Sequence, residues 1–337
     1  MAYYDDILRV ATLNLPWDRL DSCNILVTGA SGLIGHCLVD VLMSHPDKSY
    51  TVYAFGRDKQ RLVQLFSKYE NDSSFIILVG DITLPLDSSL SFHYIIHAAS
   101  GASPVDFVNH PVEVMKANFV GLMNMMEYGI HHNLRRLLYI SSGEVYGEGD
   151  VSVFTEDFSG YVNPILPRSC YPSAKRASET LCSCYSAEYN TDVVIARPCH
   201  VYGPYFKDND NRAYAQFIRN ILRDENIIMK SEGHQFRSWC YVVDCVSALL
   251  FILLKGESGQ AYNIATSGHS IKELAETIAS VGGKTVECSL PSENEKSGFN
   301  TVTRSILSSD KLRQLGWSPL FPLKEGIHNS IEQLKLK

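Results

Sequence analysis

The sequence predicts an α/β fold: a doubly wound parallel sheet carrying a smaller mixed α/β domain toward its C-terminal half. Three observations predict it. Short apolar, β-branched runs alternate with segments of helical spacing. Those runs show little in-and-out alternation, as expected for strands covered on both faces. The first run stops at a glycine-rich turn that leads directly into a helix.

Taken in order, residues 1–22 read as a short helical extension broken at Pro16 and Trp17. Asn24–Thr28 is the first strand, and Ile34, Leu38, Val41 and Leu42 follow at helical spacing. Residues 50–55 give the second strand, and 58–69 have helical character. Residues 74–81 and 93–100 give the third and fourth strands. A long helix spans 111–131, a fifth strand 134–143, another long helix 172–189, and a sixth strand 191–198. Beyond residue 198 the pattern is mixed. The apolar run Val246–Leu254 reads as a buried helix, 261–266 as a strand, and 270–282 and 303–315 as helices. The expected division is an N-terminal extension (1–22), a dinucleotide-binding domain (23–198) and a substrate domain (199–337). Part of the last, about 236–265, returns to the first domain.

The chain has 337 residues, 45% hydrophobic and 20% charged, enough for a sizeable core. Thirty basic and 37 acidic residues give a formal charge of −7, scattered without long runs of one sign. That disfavours nucleic acid and anionic membrane as partners. The N-terminus does not read as a signal peptide, and no apolar stretch is long enough to span a bilayer. The nine cysteines include no C-x-x-C pair; the nearest to one is Cys182-Ser183-Cys184. Reduced thiols in a cytoplasm are the expectation, with no disulfide framework and no metal site. Cys170 precedes a catalytic candidate but has no His–acid partner beside it to make it a nucleophile.

Thr28-Gly29-Ala30-Ser31-Gly32-Leu33-Ile34-Gly35 joins the first strand to the first helix. Such a turn needs residues without a β-carbon for the tight bend, for approach to a pyrophosphate and for helix-on-strand packing. The N–H groups at the helix start then hold the anion. The context makes this a Rossmann-type dinucleotide site, although the spacing is G-x-x-G-x-x-G. The second strand ends in Gly56-Arg57-Asp58. An acid there would hold a ribose 2′-hydroxyl and an arginine a 2′-phosphate. NAD is the expected cofactor, with NADP left open.

Tyr171-Pro172-Ser173-Ala174-Lys175 places a tyrosine and a lysine at i and i+4, on one helical face. The lysine is expected to lower the tyrosine pKa, so that the tyrosinate becomes a base for a sugar hydroxyl. Ile140-Ser141-Ser142-Gly143-Glu144 closes the fifth strand, at the end where α/β sheets bind ligands. Ser142 is the expected hydrogen-bond partner of the reacting hydroxyl, and Glu144 adds a carboxylate.

With those motifs in hand, the chain resembles the extended short-chain dehydrogenase/reductases of the NAD-dependent epimerase/dehydratase family. TGASGLIG, HAAS, Asn118 in KANFVGLMN, SSGEVYG, YPSAK and RPCHVYGP occur in that family's order over roughly residues 23–330. The stretch 161–185 is most similar to UDP-glucuronate decarboxylases. The resemblance implies catalytic roles for Tyr171, Lys175, Ser142 and Glu144. It implies cofactor contacts at Gly29, Ser31, Gly32, Leu33, Ile34, Gly35, Arg57, Asp81, Ile82, Ala98, Ala99, Asn118, Lys175 and Arg197. Substrate contacts fall on Ser100, Arg168, His200, Arg212 and Arg237, the last two on a nucleotide-sugar diphosphate. It also implies a UDP-linked substrate and a homodimer built on the 111–131 and 172–189 helices.

Two departures bear on the reaction. Gly143 stands where 4,6-dehydratases carry an acid and decarboxylases usually serine. His200 replaces an amide that contacts the sugar phosphate, which leaves a substrate role and a purely structural one both open. The reaction implied is a transient oxidation at C4 of the sugar, followed by loss of CO2 where C6 is a carboxylate. The rival readings are a nucleotide-sugar 4-epimerase, an NADPH-dependent keto-sugar reductase and a non-catalytic scaffold.

Overall fold

The computed structural model describes residues 2–86, 89–207, 210–289 and 304–336. Helix α1 (Ala2–Ala11) precedes β1 (Asn24–Thr28), α2 (Leu33–Ser44), β2 (Thr51–Gly56), α3 (Lys59–Leu65), β3 (Phe75–Val79) and β4 (Tyr94–His97). Then come α4 (Pro104–Asn109), α5 (Pro111–His131), β5 (Arg136–Ile140), α6 (Cys170–Tyr189), β6 (Val193–Pro198) and β7 (His200–Tyr202). Helix α7 (Ala213–Leu222), β8 (Ile227–Met229), β9 (Phe236–Tyr241), α8 (Val242–Lys255), β10 (Ala261–Ile264) and β11 (Ser267–Ser270) follow. The chain ends with α9 (Ile271–Gly282), β12 (Val286–Cys288), β13 (Arg304–Ser305), α10 (Asp310–Arg313) and α11 (Leu323–Lys335).

Seven parallel strands form the central sheet in the order β10-β6-β5-β4-β1-β2-β3. The order reverses between β1 and β4, which opens a crevice beyond the carboxyl ends of those strands. Alternate strand residues feed two separate layers. Ile25, Val27, Ile96, Leu138 and Val194 pack with α2 and α8. Leu26, Ile95, Leu137, Tyr139 and Ile195 pack with α5 and α6. Burial on both faces is why the strands lack a polar alternation.

The expected doubly wound sheet is present, and the 111–131 helix has the expected ends. Three expectations need correction. Residues 1–22, expected as a helical extension apart from the two domains, do contain a helix but are not apart from them: Tyr3, Ile7, Val10 and Ala11 are core residues, and α1 packs on α2, α8 and α11. Buried Asp6 accepts hydrogen bonds from Tyr241 (2.9 Å) and Asn329 (2.8 Å), which ties α1 to the C-terminal region. The expected helix over 303–315 shrinks to Asp310–Arg313. Arg304–Ser305 pairs instead with β9, and residue 303 lies outside the described residues. Leu307, just beyond that strand, bridges Phe154 and donates its N–H to the Ser238 hydroxyl (3.0 Å). Finally, within 236–265, β10 joins the main sheet and α8 packs on it, but β9 belongs to a smaller sheet with β7, β11 and β13.

Candidate active site

The glycine turn fits a pyrophosphate. Gly29 has φ +66°, and a β-carbon there would lie 2.7 Å from the Ala98 carbonyl oxygen and 2.8 Å from Ala99 Cα. At Gly35 a β-carbon would meet the Gly29 carbonyl oxygen at 2.4 Å. Both clashes are with backbone, which cannot move aside cheaply. The first bond closing α2 runs from His36 N–H to the Gly32 carbonyl. The N–H groups of Leu33, Ile34 and Gly35 precede it and are the helix's natural anion donors. Thr28 accepts a hydrogen bond from Ala99 N–H (3.2 Å) and bonds His97 (3.1 Å), locking the β4 end against the turn. Burial, with Lys175 nearby, holds the His97 pKa at about 3, so the ring is neutral. The Ser100 hydroxyl is enclosed and has no hydrogen-bond partner among the described residues, a feature expected where a ligand supplies one.

At the end of β2, Arg57 is exposed, and Asp58 caps α3 by accepting the Arg61 N–H (3.0 Å). Asp81 accepts two bonds from Thr83 (2.9 and 2.8 Å), which hold its pKa down with help from Arg57. Ile82 is buried against Gly121. Buried Asn118 donates to the Val114 carbonyl (2.7 Å), and its Oδ1 has no partner among the described residues.

The chemistry collects at the carboxyl end of β5. Ser142 starts a short 3-10 turn, Gly143–Tyr146, and its hydroxyl accepts the Glu144 N–H (3.2 Å). Helix α6 begins at Cys170, so Pro172 sits in its first turn, where the missing N–H costs nothing. Tyr171 and Lys175 share one helical face, both buried, at 7% and 2% exposure. The Lys175 ammonium donates to the Ile140 carbonyl (2.6 Å) and lies 4.7 Å from the Tyr139 ring centre and 5.7 Å from that of Tyr171.

The electrostatics differ from expectation. Burial, and next the Glu144 charge, push the Tyr171 pKa up to about 12; the Ser142 hydroxyl, Arg212 and Arg168 oppose them. Lys175 is not among the groups that lower it. Burial instead drives Lys175 down to about 7. Without ligands, desolvation outweighs the i, i+4 pairing that the sequence suggested.

Arg168 grips Glu144 with both guanidinium nitrogens, at 3.1 and 3.2 Å. It also lies over the Phe107 ring (4.7 Å), and that ring stacks on Tyr171 with centroids 4.6 Å apart. Phe107 therefore links the arginine to the Tyr171 ring, a connection with no sequence signal. Arg212 is clamped on buried Asp210 at 2.5–3.0 Å and donates to Tyr214 (2.9 Å). Arg237 is buried beside Glu144 and His200, close enough for their charges to interact. His200 is exposed as a residue, but desolvation of its ring by the surrounding protein, then Arg237 and Arg212, hold its pKa at about 4. It is neutral at pH 7. Asn209, at the start of the motif that carries Arg212, lies outside the described residues.

One expected cofactor residue is otherwise engaged. Arg197 binds Glu179 (2.6–3.2 Å), the Tyr146 hydroxyl (2.9 Å) and the Glu156 carbonyl (2.8 Å). Glu179 also accepts from Ser141 (2.5 Å). Arg197, expected at the cofactor, thus has its side chain committed to bracing the β5 and β6 ends. Glu179 lies four residues beyond Lys175 on the same helix, a spacing that could have found it. Gly143 is filled from outside, since a β-carbon there would lie 2.9 Å from Leu307 Cδ1. No group of metal-binding side chains occurs among the described residues.

Known proteins bear on this arrangement. UDP-glucuronic acid decarboxylase 6 of Arabidopsis thaliana is 35% identical over 318 residues, 93% of this chain and 89% of that protein. UDP-glucuronic acid decarboxylase 1 of Xenopus tropicalis is 32% identical over 316 residues, 94% and 73% of the two. The solved UDP-glucose 4-epimerase of Thermotoga maritima, with UDP-glucose, superposes with a TM-score of 0.79 at 26% identity, over 93% of this chain and 99% of that one. A Bacillus cereus UDP-glucuronic acid 4-epimerase, with UDP-glucuronic acid and NAD, shares the fold (TM-score 0.77, 24% identity, 93% and 99% covered). The family model itself matches residues 25–265. The chain belongs to the NAD dependent epimerase/dehydratase family.

Proposed function

We propose that this chain is an NAD-using decarboxylase of a UDP-linked hexuronate, most simply UDP-glucuronate. The observation that carries the reading is the meeting of Tyr171, Ser142, Lys175 and Glu144 at the β5 end, with Arg168, Arg212 and Arg237 beside them. Relatives above 30% identity that carry the decarboxylase name support it.

Ser142 orients the sugar's C4 hydroxyl, and Tyr171 accepts its proton. When bound, NAD supplies the acceptor for the C4 hydride and returns that hydride at the end. The resulting C4 ketone stands β to the C6 carboxylate. The C5–C6 bonding electrons then flow into the ketone as CO2 leaves, and the protonated Tyr171 hydrogen-bonds the developing enolate oxygen. A proton from solvent is then added at C5, which regenerates the C4 ketone. When the hydride returns, Tyr171 gives its proton back to the C4 oxygen, so no net redox occurs. The Ser142 hydroxyl and the Arg212 and Arg168 charges favour the tyrosinate, Lys175 would hold the cofactor, and Arg212 and Arg237 hold the diphosphate. Leu307 against Gly143 leaves no second acid beside Glu144, which disfavours 4,6-dehydration.

Exposed Val108, Val112 and Met115 on α4 and α5 suit pairing with a second copy. A cytoplasmic location agrees with nine unpaired thiols. Among the described residues no helix is long and apolar enough to cross a membrane.

The test is to incubate the protein with UDP-glucuronate and NAD and follow the sugar by proton NMR. A UDP-pentose with CO2 is the expected product. UDP-galacturonate would instead identify a 4-epimerase, and an unchanged sugar would exclude this substrate.

A further inference from the structure

We propose that Arg168 is the receptor for the sugar's C6 carboxylate, and that the arriving carboxylate displaces Glu144 from it. This assignment rests on the decarboxylase reading.

Of the three arginines, Arg168 is the one whose charge partner can be exchanged. Arg212 is committed to an aspartate that is only 6% exposed. Arg237 is itself 5% exposed and donates to its neighbouring Phe236 carbonyl (3.2 Å). The Arg168–Glu144 pair is different, with side chains 44% and 37% exposed. Half-exposed pairs are held weakly because water competes for both partners. The geometry is nonetheless the two-nitrogen fork that recognises a carboxylate. A second carboxylate can take the same fork with no change in charge at the guanidinium.

Position supports the same assignment. The Phe107 ring contacts both the Arg168 guanidinium and the Tyr171 ring, its centre 4.7 Å from the first and 4.6 Å from the centre of the second. That shared contact keeps the fork near the group that works on C4. The sugar's C6 carboxylate sits two ring carbons from the C4 oxygen, so one hexuronate can reach both. The exchange also has a consequence for Glu144. While gripped by Arg168, its two oxygens are occupied and it is poorly placed to accept a proton. Once displaced, it is a free carboxylate beside the reacting carbons. A sugar with a neutral C6 hydroxymethyl has nothing to offer the fork and leaves the pair closed. Arg168 therefore selects the acidic sugar and couples its arrival to the release of Glu144.

The test measures affinity on NAD-loaded protein for UDP-glucuronate, UDP-glucose and UDP, by calorimetry, in wild type, Arg168→Gln and Glu144→Gln. Arg168→Gln is expected to weaken UDP-glucuronate by about tenfold or more while changing UDP-glucose and UDP by less than about twofold. Glu144→Gln removes the competing charge and is expected to bind UDP-glucuronate at least as tightly as wild type. Equal losses for all three ligands in Arg168→Gln would make the residue a diphosphate or folding element and overturn the proposal. An unchanged UDP-glucuronate affinity in Arg168→Gln would overturn it too, as would a tenfold loss in Glu144→Gln. CO2 release by the wild type tests the decarboxylase reading separately, because the ligand ratios are read from binding alone.

Discussion

Replacing Glu179 by alanine should destabilise the protein severely. The Arg197–Glu179 pair is mostly buried, at 14% and 12% side-chain exposure. Arg197 uses Nε and Nη2 on the carboxylate and Nη1 on the Tyr146 hydroxyl and the Glu156 carbonyl. Truncating Glu179 leaves the guanidinium enclosed with no counter-charge and strands the Ser141 hydroxyl. Removing one member of such a buried pair costs about 3–5 kcal/mol, against about 0–1 kcal/mol for an exposed pair. Replacing both members with apolar residues of similar size, as in Glu179→Leu with Arg197→Met, should recover a large part of that loss, because no buried charge remains. Urea unfolding followed by circular dichroism gives the three stabilities, and calorimetry gives the NAD affinity of whatever remains folded. A cost below about 1 kcal/mol for Glu179→Ala would refute the buried-pair reasoning. Loss of NAD binding by the stable double variant would return Arg197 to the cofactor site.

Other consequences can be read more briefly. Gly35→Ala should abolish NAD binding, since its β-carbon would meet the Gly29 carbonyl at 2.4 Å; undiminished affinity by calorimetry would contradict the cradle. Lys175 is lowered from 10.5 to about 7 by burial, so the unfolded chain binds the proton more tightly than the folded one. That penalty, roughly 4 kcal/mol at pH 7, is largest below pH 7 and fades as pH rises toward 10.5. Lys175→Met should therefore be more stable than wild type near neutrality, with the gap narrowing at alkaline pH; a pH-independent gap would contradict it. Tyr171→Phe should retain NAD and UDP binding but lose turnover by at least about a hundredfold, and a normal rate would remove Tyr171 from its role.

Much of the fold was legible because it follows from local chemistry. Strands buried on both faces must be continuously apolar, and Gly29 and Gly35 mark a turn where only glycine fits. Helix α5 could be placed to the residue because Pro111 can start a helix but not sit inside one. The misreadings concern pairings that join distant residues. An arginine at a strand end reads equally as a ligand for a cofactor or for Glu179, and proximity alone decides between them. The Arg168–Glu144 grip spans 24 positions and the Phe107–Tyr171 stack spans more, with no periodic signal connecting either. The stretch 303–315 reads as helical because apolar spacing over so short a run does not separate a helix from the strand that Arg304–Ser305 forms in parallel with β9. The Tyr171 pKa was misjudged because spacing reports which groups are neighbours and says nothing of how dry they are.

The central claim is that C4 is oxidised and then reduced by the same bound cofactor. UDP-glucuronate carrying deuterium at C4 tests it directly, with the protein and a substoichiometric amount of NAD. The account predicts a UDP-pentose that keeps the deuterium at C4, with CO2 released and no accumulation of reduced cofactor. Product formed with the label washed out to solvent, or with reduced cofactor accumulating in step with turnover, would contradict it.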